Sequence, residues 1–396
     1  MRLVDHYKKN KIIPTVNLQD HSSKILNSLR DNFYFSLNIS EFKEKTVLEL
    51  CPGTGWNANY LLKQGIKSIT AVDLNKYSLI QTKKNLKKFS KKVTIINKDI
   101  YKYFPKKKFD IVIIENVLTG MDYPEKILKK IPKFVKKKGF LIFTVTDEFG
   151  WFSEKLRGLL SFLILNNIEE KNNKELTFQK KCKILSSIFV SHLKSLKTNT
   201  RKIEKYIQDN MLQNDWWSKN KLLPLDKASI NLSLKKNNLA FWSISPNFLS
   251  NYLWYKKINS KIINDDFVKV YNKNKINLLD IDEKFDISQK NFYKKIKITK
   301  QLISEISIKI EKIAFNKKIQ KKKLINLISL LFKLEKNIDN LKKNNKVSES
   351  LREFIYLLKI YIRKNEINLK NLKKFKFWWG HGTMQVAFVK DYFSKK

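Results

Sequence analysis

The sequence predicts an α/β fold: a mostly parallel sheet with helices on both faces, interrupted by large α-helical insertions. Three observations carry this expectation. Between residues 41 and 150, short apolar runs alternate with helix-patterned stretches, the order that builds parallel sheets through crossover helices. The first run passes straight into a glycine turn, TVLELCPGTGWN, where Gly53 and Gly55 permit backbone conformations closed to other residues. Seven of the nine glycines lie from Gly53 to Gly158, so turn chemistry is concentrated in this half.

In chain order, residues 1–40 are an N-terminal helical lead-in, with a helix over 21–37 marked by Ile25, Leu29 and Phe33 at four-residue spacing. Residues 41–150 supply strand 46–50, helix 56–64, strand 68–73, helix 75–89, strand 93–97, strand 109–115, helix 123–137 and strand 139–145. Gly65 stands where a left-handed helix cap belongs. Residues 151–221 show only helical spacing and form a helical insertion or lid, with a helix over 201–217 ending in Trp216 and Trp217. Residues 222–248 return to the core with a helix and a sixth strand, LAFWSIS, over 239–245. Residues 249–376 are a Lys-rich helical insertion, in which Ile303, Ile306, Ile310 and Ile313 form the seam of a bundle. Residues 377–396 bring back glycine and a β-rich run, and Met384 to Val389 is expected as a seventh, antiparallel edge strand. The alternative is an independent helical domain followed by a short tail strand.

In an open α/β sheet the ligand crevice lies beyond the carboxyl ends of the strands. That edge is lined here by Glu49 to Asn57, Asp73, Asp99, Glu115 with Asn116, and Thr146 to Glu148. ELCPGTG resembles the first motif of class I S-adenosylmethionine-dependent methyltransferases, acid-x-Gly-x-Gly-x-Gly. It matches at Glu49, Gly53 and Gly55, and Cys51 stands where the family has its first glycine. AVDLN is similar to the family's ribose-binding segment, NKDI to the segment that contacts adenine, FDIVIIENVL to the fourth strand with its loop, and KKKGFLIFTVTDE to the fifth strand after its glycine turn. The resemblance covers roughly residues 40–150 and implies a Rossmann-like, seven-stranded sheet and S-adenosyl-L-methionine as cofactor. It implies cofactor contacts from Glu49, Cys51, Gly53, Thr54, Gly55, Asn57, Asp73, Leu74, Asp99, Ile100, Glu115 and Asn116. Within that set, Asp73 either takes the ribose hydroxyls or caps the following helix. An NAD-dependent oxidoreductase fits less well, because Ala58 occupies the third glycine position of Gly-x-Gly-x-x-Gly.

The formal charge is +45, yet only six of the 81 basic residues are arginine. Phosphate and base recognition favours arginine's planar fork. The abundance of Lys, Asn and Ile beside scarce Gly therefore points to compositional drift, with RNA kept as a second choice of partner. Two cysteines, Cys51 and Cys182, give no disulfide framework, and no apolar stretch spans a bilayer, so a cytoplasmic protein without membrane contact is expected. There is no zinc-type Cys/His cluster, so no metal is expected.

Methyl transfer from a sulfonium needs alignment and exclusion of water, and needs a base only when the acceptor must lose a proton early. Catalytic residues are therefore less legible than cofactor contacts. Asp147, Glu148 and His381 are candidates, each with a plain alternative as a loop or turn residue. Trp151 is a further acceptor-side candidate, and the pair Trp216 and Trp217 either stacks on a planar acceptor or anchors the lid. His6 and His21 pair with no acid or cysteine and are taken as surface or structural residues. The loop after the fourth strand, IENVLTG, lacks the Asp/Asn-Pro-Pro-Tyr signature of exocyclic-amine methylation, and no Pro-Cys pair supports thiol addition to cytosine. The expected activity is methyl transfer to a small molecule or a protein side chain. The alternatives are an RNA methyltransferase and a non-catalytic binding module with a degenerate cofactor site.

Overall fold

The computed structural model describes residues 23–196, 203–212, 222–231, 238–245, 260–288, 292–314, 319–370 and 372–391. His6, His21, Trp216 and Trp217 lie outside the described residues. The chain divides into two compact units: an α/β unit of residues 1–146, 223–272 and 383–396, and a helical unit of residues 147–222 and 273–382. The two expected insertions thus belong to one unit, and the α/β unit keeps more of the chain after the sixth strand than expected.

The α/β unit begins with α1 (Ser23–Ser36), then β1 (Thr46–Leu50), α2 (Trp56–Lys63), β2 (Ser68–Asp73), α3 (Lys76–Asn85), β3 (Val93–Asn97), β4 (Phe109–Ile114), α4 (Pro124–Lys130) and β5 (Val135–Thr146). α5 (Phe152–Asn172) and α6 (Phe178–Ser195) follow in the helical unit. The α/β unit resumes with α7 (Leu225–Asn231), β6 (Leu239–Ser245) and α8 (Ser260–Asn274). The helical unit then adds α9 (Phe292–Ala314), α10 (Lys321–Asp339) and α11 (Lys346–Lys364), before β7 (Thr383–Lys390).

The sheet order is β3-β2-β1-β4-β5-β7-β6. β1 is central because four of its five residues are fully buried, and it pairs in parallel with β2 and β4. β3, at one edge, leaves Thr94 and Asn97 exposed. β7 runs antiparallel to both β5 and β6. It is therefore an interior strand, and the expectation of an edge strand is corrected: β6 takes the edge. The antiparallel sense and the return to the sheet after the helical segments stand as expected.

β5 is longer than its apolar core suggested, because Gly139 lies within the strand and is not a turn glycine. Lys138 adopts φ +60°, the β4–β5 register shifts between Phe109 and Ile111, and a Cβ on Gly139 would come 2.7 Å from the Asp110 carbonyl oxygen. Such an irregularity bends a strand while keeping it paired. The helix expected over 75–89 stops at Asn85 and passes into a 3₁₀ segment, and that expected over 123–137 yields at Ile131 to a 3₁₀ turn before β5. Pro132 has no N–H and disfavours helix at Ile131, while Lys87–Lys92 buries no residue that could hold a longer helix.

Tyr34, Phe42 and Tyr60 pack into the core against α1 and α2, with Tyr34 and Tyr60 stacked at 5.5 Å. In the helical unit, Ile303, Ile306, Ile310 and Ile313 are buried on α9 as the three-and-four spacing predicted; α9 packs against α10, and α10 in turn against α11. The first three turns of α5 differ, because Ser153, Glu154, Lys155 and Arg157 are as buried as the leucines among them.

Candidate functional site

The turn after β1 is built from unusual backbone. Cys51, Gly53 and Gly55 all have φ between +57° and +76°, the left-handed region in which only glycine is unstrained. α3 clamps the turn from behind: the Thr82 hydroxyl donates to the Gly53 carbonyl (2.9 Å) and Asn85 Nδ2 to the Thr54 carbonyl (2.9 Å). Cys51 N–H donates to the Val72 carbonyl at 2.7 Å, tying the turn to β2. A Cβ on Gly55 would press on Thr82 at 2.9 Å, so glycine is required there by space as well as by conformation. The turn opens directly into α2, whose first backbone N–H groups have no partner within the helix.

Parallel pairing brings the carboxyl ends of β1, β2, β3 and β4 to one edge of the sheet. Burial, then the fields of Asp73, Asp99 and Glu49, push the Cys51 thiol well above its usual range, so three acids separated in sequence share the surroundings of one turn residue. Asp73 is buried at the end of β2, where Oδ1 accepts the Asn75 N–H at 2.8 Å. Asn75 itself caps α3, accepting the Tyr77 N–H, so the capping role once open to Asp73 is filled by its neighbour. Leu74 is half-buried beside it; Asp99 is half-buried and accepts the Tyr101 N–H at 2.8 Å, with Ile100 buried behind. Asn116 takes φ +55° and donates its N–H to Thr144 Oγ1. Thr54 and Asn57 are buried in the turn and in α2.

Glu49 is 4% exposed; Oε1 accepts Asn57 Nδ2 at 3.1 Å, and Oε2 has no partner. Burial raises its pKa to about 7, with Glu115 adding to the rise while Asn57 and Arg30 oppose it. The Tyr34 hydroxyl fixes Asn57 from the other side, donating to Oδ1 at 2.7 Å. Glu115 receives a two-pronged ion pair from Arg30, at 2.8 and 3.1 Å. That guanidinium also lies 4.2 Å from the Trp56 ring centroid, and both its Nε and the Trp56 Nε1 are buried without partners. Arg30, Tyr34 and Trp56 were absent from the sequence-derived set. One signal existed: Arg30 is among six arginines in a chain that otherwise uses lysine.

The described acceptor-side candidates, Asp147, Glu148, Trp151 and His381, belong to the helical unit. Asp147, expected as a crevice or solvated loop acid, is fully buried and paired with Lys275 at 2.8 Å. Its Oδ1 also accepts the Phe149 N–H, so it holds the polypeptide together. Glu148 is nearly as buried. Trp151 is 7% exposed and packs with Leu222 and against Gly382, which makes it an anchor. His381 is half-buried, and burial, then Lys284, lowers its pKa. Among the described residues no group of three His, Cys, Asp or Glu is arranged to hold a metal, and no helix is long and apolar enough to cross a membrane.

A buried parallel-strand edge, a left-handed glycine turn and acids closing successive strands define a nucleotide-type α/β domain, and the 3-2-1-4-5-7-6 order with its antiparallel seventh strand is the class I methyltransferase arrangement. Residues 48–143 match the family model described as a methyltransferase domain, so this stretch is a methyltransferase domain. A relative from Methanocaldococcus jannaschii, named "Putative protein N5-glutamine methyltransferase", is 29% identical over 97 residues, covering 24% of this chain and 49% of that protein. The chain thus spans about half the length of the curated relative it matches. Among solved structures, the N-methyltransferase NodS from Bradyrhizobium japonicum WM9, in complex with S-adenosyl-L-homocysteine, is 17% identical with a TM-score of 0.28, over 31% of this chain and 63% of its own. A S-adenosylmethionine-dependent methyltransferase from Clostridium acetobutylicum is 22% identical with a TM-score of 0.27, over 33% and 53% of the two chains.

Proposed function

We propose that the chain is a S-adenosylmethionine-dependent methyltransferase. The observation that carries this reading is the gathering of Glu49, Asp73 and Asp99 around a left-handed turn, with Glu49 Oε2 buried and unpaired. The residues present fit the cofactor. Its amino-acid end carries one positive and one negative group, and the turn offers an unpaired carboxylate oxygen at Glu49 and an unpaired guanidinium N–H at Arg30. Glu49 would hold the ammonium and Arg30 the carboxylate, while the amides of Gly53 to Asn57 flank the same end. Asp73 would take the ribose hydroxyls, and Asp99 the adenine amino group.

When bound, the cofactor supplies a methyl group on a sulfonium, a leaving group that needs no protonation. The protein's work is then placement and exclusion of water. Arg30 contributes by pinning the loop after β4 through Glu115 and closing over Trp56. The acceptor is a small molecule or a protein side chain; the archaeal relative is named for a protein glutamine.

Calorimetric titration of the full chain with S-adenosyl-L-homocysteine tests the reading. Binding is expected, and Asp73→Ala is expected to weaken it by about 1–3 kcal/mol, the worth of a charged hydrogen bond. No heat from the wild-type protein at millimolar ligand would overturn the assignment.

A further inference from the structure

Among the described residues, five carboxylates of the helical unit are buried: Asp147, Glu148, Glu154, Asp280 and Glu335. Four have a cation. Asp147 pairs with Lys275 at 2.8 Å, Glu154 with Arg157 at 2.6 Å, Asp280 with Lys346 at 3.1 Å and Glu335 with Arg352 at 2.7 Å. Glu148 has none: it is 9% exposed and its buried Oε2 lacks any hydrogen-bond partner. A buried carboxylate without a counter-charge is strongly unfavourable, and proteins keep such groups where a ligand completes them.

The backbone around Glu148 is built to tight tolerances. In a chain with nine glycines, three meet here. A Cβ on Gly150 would fall onto the His381 carbonyl oxygen, one on Gly380 onto the Gly150 carbonyl oxygen, and one on Gly382 onto the Trp151 ring. Asp147 N–H donates to the Gly382 carbonyl (3.3 Å), His381 N–H to the Leu278 carbonyl (2.8 Å), and Trp378 Nε1 to the Leu279 carbonyl (2.6 Å). Lys275, the cation on the same segment as Leu278, is already engaged by Asp147. The corner formed by residues 147–151, 275–282 and 378–382 thus holds Glu148 in a fixed frame whose lysines serve other acids: Lys346, which reaches in from α11, is held by Asp280 and Asp282.

We propose that Glu148 anchors the protonated amino group of an amine ligand, which supplies the cation that Lys or Arg provides for the other four buried acids. The inference concerns the helical unit by itself and goes beyond the methyltransferase reading above. His381 borders the same corner and, with its imidazole neutral at pH 7, adds no repulsion to an arriving cation.

The test uses the full chain without cofactor. Thermal unfolding and calorimetry are run with ethanolamine, 2-phenylethylamine and spermidine, each beside a size-matched alcohol and carboxylic acid. At least one amine is expected to raise the melting temperature while its matched controls do not, and Glu148→Gln is expected to weaken that binding by roughly tenfold or more. Glu148→Gln should itself be as stable as the wild type or more so, because it breaks no ion pair and no hydrogen bond to Oε2, and should still bind S-adenosyl-L-homocysteine. Three results overturn the proposal: no amine binds, alcohols or acids bind equally well, or Glu148→Gln unfolds as readily as a variant of a paired acid such as Asp147→Asn. Failure of the wild type to bind S-adenosyl-L-homocysteine would instead strike at the methyltransferase reading and leave the amine result standing.

Discussion

The α/β unit and the helical unit bury charge in opposite ways. In the α/β unit, buried acids gather at one sheet edge, and Glu49 is left with an oxygen unpaired beside a turn that neutral glycines hold open. Among the described residues of the helical unit, buried acids are scattered through the interior and matched one by one with Lys or Arg, Glu148 excepted. A sheet collects side chains from distant segments at the ends of its strands, so the topology alone assembles a site. Helices packed on their flanks have no such edge, and polar groups inside them must be paired locally.

This difference also governs what the sequence discloses. Strands β1, β2, β3 and β6 were legible to the residue because short apolar runs end on glycine or a polar cluster, and β4 was legible to within one residue. Asp73 ends β2, while Glu49 is the penultimate residue of β1 and Asp99 lies two residues beyond β3, so the acids at this sheet edge follow from where the strands stop. The place of β7 was not, since order within a sheet depends on pairing between remote segments and leaves no local periodicity. The ion pair of Asp147 left no signal in the sequence, because its partner, Lys275, is one lysine among many and lies far along the chain. The arginines were the unread clue. Of the four described, Arg30, Arg157 and Arg352 each engage a glutamate, at Glu115, Glu154 and Glu335 respectively, as expected if a lysine-rich composition keeps arginine only where a planar fork is needed.

The contrast is sharpest in the variants that remove one half of a buried pair. Asp147→Asn is expected to destabilise the protein by roughly 3–5 kcal/mol in denaturant unfolding, since Lys275 is left buried without its acid. A loss near that of a surface substitution would break the view that these pairs organise the helical unit. Next comes Gly150→Ala, which drives a methyl group into the His381 carbonyl and should cost about 3 kcal/mol by the same measurement. Arg30→Lys in the α/β unit should weaken S-adenosyl-L-homocysteine by about 1–2 kcal/mol, because an ammonium cannot grip Glu115 with two prongs and lie over Trp56.

Glu49 gives the comparison a pH axis. Its pKa of about 7 lies above the ordinary carboxylate value of 4.5, so the free fold holds a proton that the unfolded chain releases. This contribution favours folding at low pH and is lost as pH rises through about 7. An ammonium beside Glu49 favours the ionised form, so ligand binding should expel the proton. Affinity for S-adenosyl-L-homocysteine should fall by up to roughly tenfold per pH unit below 7, and Glu49→Gln should flatten the profile. Titrations in buffers of different ionisation enthalpy would count the proton directly. The smallest expected effect is Cys51→Gly, which relieves a left-handed side chain at φ +57° and should add about 0.5 kcal/mol after glycine's greater freedom when unfolded is set against it.

The position of β7 has a consequence for how the α/β unit matures. β6 meets the rest of the sheet only through β7, which comes after every helix of the second unit. Until residues 383–390 are synthesised, β5 presents a raw flank and β6 has nothing to join. A nascent or truncated chain lacking that segment would offer two sticky strand margins to its neighbours. The final stitch of the sheet is therefore also its protection against association, and chains cut before Thr383 should be recovered as aggregates even though the turn after β1, with Asp73 and Asp99, is already encoded.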